Sequence, residues 1–425
     1  VDRRHIEMAK TPEELYQERE KRFNDAIQLK VPDRVPIALF WHFFGAKYGG
    51  INCQEAMYDH DRLAETTRKA VVDFDLDGYV NPSYLVSVGP MMEMLGERRF
   101  KWPGHGVSVD STYQYVEEEY MRADEYDAFI ADPTDYILRT HIPRVLGALE
   151  PLKMLPYIPG VAHFFGLNTF LPAAFATPPI AQALEALARA GQESLKMISR
   201  TEAFDKEMAE LGFPSLIGSY GWAPFDYIGD HFRGTTGIML DMYERPDKLL
   251  AAIDKVTPAI INTAVGLVQQ TGIPRCFIPL HKGLDGFMSP KQFDTFYWPN
   301  LKQVILALIE QNIVPLVIWE GDCTSRLETI ADIPKGKAIY FFERTDMHRA
   351  KEVLGGKVCI MGLMPSWVLC TGSPQDVRDY CKRLIDVVGK GGGYILNGDV
   401  GIPDEAKPEN VKAMVDFTKE YGVYK

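Results

Sequence analysis

The chain has 425 residues, 46% of them hydrophobic, ample for a large buried core and for one large domain. A formal net charge of -12, with no basic block to neutralise phosphates, excludes electrostatic support for a nucleic-acid partner. Six cysteines without a CxxC pair or compact frame point to free thiols in a reducing compartment, the cytoplasm. With no signal-peptide core and no uninterrupted membrane-length apolar run, no membrane partner is expected.

Residues 1–33 read as an N-terminal helical extension, in which Thr11 is the N-cap, Pro12 sits in the first turn and Glu14 supplies the capping-box acid. Val35 to Phe40 is the first strand and delivers the aromatic run Trp41, His42, Phe43 and Phe44. A helical block runs through Phe74, and DLDGYVNPSYL gives a second strand that ends near Pro82, Ser83 and Tyr84. From about 100 to 150 an insertion follows, in which aromatic and acidic residues alternate as in an antiparallel excursion leading into a helix. Residues 151–180, rich in Pro, Gly, Phe and Ala, have no clean period and read as a loop or lid. Helical spacing resumes from Ile180 to Glu210. A strand then ends on Tyr220 and Trp222, a helix breaks near Gly234, and a long helix is ended by Gly272 and Pro274.

Three short β-rich runs come next, and each ends in a polar cluster. The first delivers His281, Lys282 and Asp285; the second Glu320, Asp322 and Cys323; the third Glu343, Arg344 and Asp346. The remaining chain alternates helix and strand to the closing helix KPENVKAMVDFTKEYG. Roughly eight strand-helix units result, the number that closes a TIM barrel, so the expected fold is α/β: a TIM (β/α)8 barrel with an N-terminal helical extension and an insertion after the second strand, as one domain over 1–425.

In parallel sheets of this kind the loops at the carboxyl ends of the strands carry the chemistry. Glu320, His281 and Glu343 fall there and are candidate proton-transfer groups or metal ligands, their structural alternative being carboxylates or an imidazole bonded to the next loop. Cys323 can supply a thiolate to a metal or serve as a buried thiol. The aromatics Trp41, Phe44, Tyr84, Trp222 and Phe225 fall at or just beyond strand ends, where they would line a pocket for a flat ligand. No HExxH, no phosphate-cradling glycine loop and no dinucleotide fingerprint is present.

The runs PDRVPI, FMSPKQFDTFYWPNLKQVI, TDMHRAKEVLGGKVCIMG, GSPQDVRDYCKRLID and GGGYILNGDVGIPDEAKPENVKAM resemble the uroporphyrinogen decarboxylase superfamily, which includes decarboxylases and corrinoid-dependent methyltransferases. Decarboxylases of that superfamily carry an arginine-rich motif after the first strand and an aspartate after the second. Here those places read FWHFFGAKYGG and VNPSYL, and the late glycine-histidine-glycine reads Asp399, Val400, Gly401. The thiol-activating methyltransferases carry a His-x-Cys-Gly and a late cysteine; here the positions read Ile318, Glu320, Gly321 and Val400, so a thiolate-rich zinc site is not expected. What remains similar is the branch that demethylates aryl methyl ethers.

That resemblance implies a methyltransferase passing methyl from a methoxylated aromatic compound to the Co(I) corrinoid (cobalamin) of a partner protein. Glu320, His281 and Glu343 would act as acids or as zinc ligands, with Cys323 and Asp399 in reserve for the metal. A homodimer is compatible with this reading. The alternatives are a cofactor-independent decarboxylase of an aromatic or tetrapyrrole acid, which would want arginines such as Arg344 and Arg233 in its pocket, and a non-catalytic binding module.

Overall fold

A computed structural model describes residues 10–425. The first nine residues of the expected extension lie outside the described residues. The helix that follows, Pro12–Ile27, starts as its sequence dictates: the Thr11 side chain accepts the Glu14 N–H, and the Glu14 carboxylate accepts the Thr11 N–H at 2.8 Å.

The strands in chain order are β1 (Ala38–Leu39), β2 (Gly78–Tyr79), β3 (Phe100–Pro103), β4 (Gly106–Val107), β5 (Gln114–Tyr115), β6 (Ser219–Tyr220), β7 (Arg275–Leu280), β8 (Val314–Trp319), β9 (Ile339–Phe342), β10 (Cys359–Gly362) and β11 (Tyr394–Ile395). A six-stranded parallel sheet has the order β11-β10-β9-β8-β7-β6, and a separate parallel pair joins β1 to β2. The two sheets meet through isolated parallel bridges, Ile37 to Leu396 on one side and Tyr79 to Ser215 on the other. Backbone bonds from Ala38 N–H to Leu396 at 3.2 Å and from Leu396 N–H to Pro36 at 2.9 Å reinforce the first junction. The architecture is thus mixed α/β, with parallel strands in sequential order and helices outside.

Strand parity sorts the core into two clusters. Ala38, Phe40, Phe277, Leu316, Ile318, Ile339, Phe341, Cys359, Met361 and Ile395 pack with Phe23, Ala26 and Ile27 of the first helix. The alternate residues, among them Leu39, Trp41, Ile278, Val317, Trp319, Tyr340 and Ile360, pack outward against the helices. Both faces of the sheet are therefore buried, which explains why these strands read as continuous apolar runs. The first helix plugs the amino end of the strands and leaves their carboxyl ends for the site.

Between β2 and β6 lies the insertion. β3 pairs with β5 antiparallel and with β4 parallel, so the expected antiparallel excursion is present. Residues expected as a loop or lid fold instead into short helical turns, Gly147–Met154, Ile158–Val161, Gly166–Phe170 and Leu171–Phe175, before the 33-residue helix Pro178–Glu210. Frequent Pro and Gly restart the helix every few residues, which hid its period. The helix Pro246–Thr271 is long and apolar enough to cross a membrane by length and composition, although Asp254 and Lys255 interrupt its apolar run. In the fold its face of Leu249, Ala252, Ile253, Val256, Ile260, Ala264 and Val268 is buried in the main core.

Candidate active site

A cavity of ≈ 870 Å³ opens at the carboxyl ends of the strands. Phe40, Phe277 and Ile318 form its base. The loops after β1, β6, β7, β8 and β11 form its walls, and Arg99, Phe100, Tyr113 and Tyr115 of the insertion cover one side.

His281 follows β7 directly and is anchored by buried Asp226, whose carboxylate accepts the N–H groups of His281 at 2.8 Å and Lys282 at 3.1 Å and the Tyr297 hydroxyl at 2.6 Å. Burial raises the Asp226 carboxyl above the usual carboxylate range, with neighbouring Asp230 adding to the effect. The His281 ring lies between two acids. Its Nδ1 is 2.6 Å from Asp230 Oδ2, and its Nε2 faces Glu320 Oε1 at 3.7 Å. Asp230 also holds the Lys282 ammonium.

These contacts set the protonation states. Burial alone would push the His281 imidazolium down, but the hydrogen bond and charge of Asp230, followed by Glu320, hold it up at about 9. Glu320 is pushed up to about 7, chiefly by burial, although its side chain keeps 34% of its exposure. His231, edge-on to Trp222 at 5.0 Å, is depressed by burial to about 4 and is neutral near pH 7. The wall thus carries an imidazolium locked by a carboxylate, a carboxyl that titrates near neutrality, and a neutral imidazole.

Of the three groups expected to converge, Glu320, His281 and Glu343, the first two meet here. Glu343 does not join them: its carboxylate accepts the Gly321 N–H and pairs with Arg344 Nε at 2.8 Å, bracing the β8 loop from outside the cavity. Cys323 is fully buried, its thiol directed to the Glu320 carbonyl at 3.8 Å and pushed well above the ordinary thiol range by burial. Asp399 is bonded to the Ser366 hydroxyl at 2.7 Å and to the N–H groups of Ser366 and Val400. Among the described residues no group of three His, Cys, Asp or Glu side chains is arranged to hold a metal ion. Of the expected zinc ligands Glu320, Glu343, His281 and Cys323, only Glu320 and His281 face one another; Glu343 is engaged by the Gly321 N–H and Arg344, and the Cys323 thiol by the Glu320 carbonyl.

Of the expected substrate-binding aromatics, only Trp222 lines the cavity. Trp41, Phe44 and Phe225 are corrected to core residues, exposed by 1%, 2% and 0%. Parity explains Trp41: it shares the outward face of Leu39, while Phe40 and His42 face the cavity. Phe44 stacks on Tyr48 and Phe74 in a short helix, and Phe225 packs on Tyr297 at 5.5 Å. Tyr84 lies beyond the cavity's edge, 6.1 Å from the Tyr220 ring. The aromatic lining consists, besides Trp222, of Phe40 and Phe277 at the base and Phe100, Tyr113 and Tyr115 on the wall. Asp230 and His231 were missed because they sit in a π-helical turn, Gly229–Arg233, inside what reads as an ordinary helix; the available signal was Asp226 and Asp230, four apart on one face. Arg233 and Arg344 supply no anion grip, since Arg233 is buried against Asp241 at 2.5 Å and Arg344 is exposed beside Glu343.

The chain is similar to curated uroporphyrinogen decarboxylases: 25% identical over 213 residues to that of Chlorobaculum parvum, covering 48% of this chain and 59% of the relative. The corresponding protein of Pseudomonas fluorescens is 24% identical over 182 residues, 42% of this chain and 50% of the relative. The matched region thus spans about three-fifths, 59%, of the length of the first of these relatives. Among solved structures, a methyltransferase from Methanosarcina mazei superposes with a TM-score of 0.61 at 17% identity, covering 95% of this chain and 98% of that one, a likeness of fold. Residues 174–421 match the family described as uroporphyrinogen decarboxylase (URO-D), more than half of the chain, and the protein belongs to that family.

Proposed function

We propose that the protein is a methyltransferase of an O-demethylase system, acting in the cytoplasm on a methoxylated aromatic compound and delivering the methyl group to the corrinoid of a partner protein. We also read the two parallel sheets and their bridges as the eight strands of a TIM barrel. The observation that carries the functional reading is the chain Asp230, His281, Glu320 set in an aromatic-walled cavity without an arginine cluster.

A reduced corrinoid supplies the nucleophile that accepts the methyl group. What this chain must supply is help for a poor leaving group, a phenolate with a parent pKa of about 10. As the methyl carbon–oxygen bond breaks, its electron pair stays on the ether oxygen, and a proton from Glu320 converts that oxygen to a phenol. His281, kept protonated by Asp230, adds positive charge beside the developing anion. Phe40, Phe277 and Trp222 hold the ring and exclude water from one side. Val400, which lines the cavity, and Trp367, next in the chain to the lining residue Ser366, are exposed and apolar and would offer a partner a contact there.

The lyase reading is disfavoured by the pairing of Arg233 and Arg344 described above. The deciding experiment is anaerobic: reduced corrinoid and a panel of methoxylated phenols, read by the cobalt absorption and by release of the matching phenol. The native protein transfers methyl, and Glu320→Gln loses roughly 10²–10⁴-fold in rate. Undiminished transfer in Glu320→Gln would remove Glu320 from the chemistry, and no transfer by the native protein with any ether would overturn the function.

A further inference from the structure

The cavity has a second polar wall that the methyl-transfer chemistry does not use. In the order β1, β2, β6, β7, β8, β9, β10, β11, the pair β7 and β8 carries His281 and Glu320, and β1 and β11 stand three or four places away, on the opposite side of the mouth. Beyond β1 and β11 lie His42 and Asp404, both lining the cavity, and Tyr113 of the insertion completes that side.

We propose that His42, Tyr113 and Asp404 form a subsite that reads a hydroxyl substituent on the ring of the methyl donor, across the cavity from Glu320. The proposal rests on the reading above for the donor being an aromatic ether.

Three observations support it. The His42 ring and the Tyr113 hydroxyl are half-buried and line the cavity without a hydrogen-bond partner among the described residues, so their donors and acceptors are open to a ligand there. Their positions are built: the rings lie 6.4 Å apart, and Tyr113 is held edge-on by Phe43 and Phe100, each at 5.9 Å. Asp404 is fixed at the same rim by the Phe43 N–H, which its Oδ1 accepts at 2.9 Å, leaving further lone pairs toward the cavity.

The donor and acceptor inventory matches a hydroxyl. Burial keeps His42 neutral, so it offers one donor and one acceptor; Tyr113 donates and accepts, and Asp404 accepts. A phenolic hydroxyl donates one hydrogen bond and accepts another, and this set satisfies both. A carboxylate substituent would instead face Asp404 and Glu405. Phe40 lies between the two walls, 5.0 Å from the His42 ring and 5.5 Å from Phe277, so a flat ring resting on it has one edge toward each wall.

The test is calorimetric binding in the absence of corrinoid, with anisole, 3-methoxyphenol, 4-methoxyphenol and 4-methoxybenzoate as probes. The native protein is expected to bind at least one methoxyphenol about tenfold more tightly than anisole, and methoxybenzoate least tightly. In Tyr113→Phe and His42→Phe that advantage, read as the ratio of methoxyphenol to anisole affinity within each variant, shrinks to about threefold or less. Equal binding of anisole and both methoxyphenols to the native protein overturns the subsite, a comparison that needs no variant to fold. An advantage that survives in both variants, or binding of none of the four probes, overturns it as well. Hydroxyl discrimination without any methyl transfer would sink the methyltransferase reading and leave the subsite standing. Transfer with indifferent binding would do the reverse.

Discussion

Glu320 and His281 stand 3.7 Å apart, and both are driven toward their protonated forms by different causes: burial for Glu320, and for His281 the Asp230 carboxylate, which outweighs burial. The Glu320 carboxyl moves from its ordinary 4.5 to about 7, so the stability it contributes is complete below 4.5 and is lost as pH rises through 7. His281 moves from 6.5 to about 9, and its contribution is complete below 6.5 and lost as pH rises through 9. The site therefore weakens the fold as pH rises across both windows. Between pH 5 and 7.5 the unfolding free energy of the native protein should fall more steeply than that of Glu320→Gln, whose amide has no charge to bury. Methyl transfer should be level below about pH 7 and fall about tenfold per pH unit above it as the acid form is depleted. Urea denaturation and a pH-rate profile check the two, and parallel stability curves for both proteins would refute the buried acid.

At the scale of elements, the mouth depends on the insertion lying over it. The Tyr115 hydroxyl of β5 donates to the Asp230 carbonyl, Glu117 accepts the Thr235 N–H, and Met121 N–H bonds the Phe232 carbonyl at 2.6 Å, so the cover is latched to the turn that bears the site's own carboxylate. Tyr115→Phe should raise deuterium uptake across Phe100 to Glu117 while leaving β7 to β10 protected, because one exposed latch is lost and no core contact changes. Unchanged uptake would mean that the other two contacts hold the cover alone. Much of this arrangement was readable in the sequence. The apolar runs of β7, β8 and β9 announced buried strands, and their terminal residues gave His281 and Glu320. The facing of β1 was not readable: its ladder is two residues long, so nothing in the sequence fixes whether Phe40 or Trp41 looks inward. Nor was the partnership of Asp230 with His281, 51 positions apart, which tertiary packing alone creates.

Across the whole molecule, charge is divided between the two ends of the strands. At the carboxyl end Glu320 titrates near neutrality; at the amino end charge is locked. Asp77, fully buried, accepts Arg22 Nη1 at 2.7 Å, both Arg34 terminal nitrogens at 2.6 Å and the Ile37 N–H at 2.9 Å. Arg22 in turn holds Glu18 and Asp33, so the plugging helix, the start of β1 and the start of β2 share one network. Conserving volume but removing charge, Asp77→Asn leaves two guanidinium groups short of their acceptor at a site water does not reach. The expected cost is about 3–5 kcal/mol, a large share of the roughly 5–15 kcal/mol that holds a domain together. Because the network sits at the opposite end from Glu320 and His281, the variant should keep native ligand affinity and methyl transfer at temperatures where it remains folded. Urea unfolding beside a binding measurement separates the two effects. A loss of affinity in fully folded Asp77→Asn would show that the amino-end lock also shapes the mouth, and a loss of stability alone would show that the two ends of the strands are energetically independent.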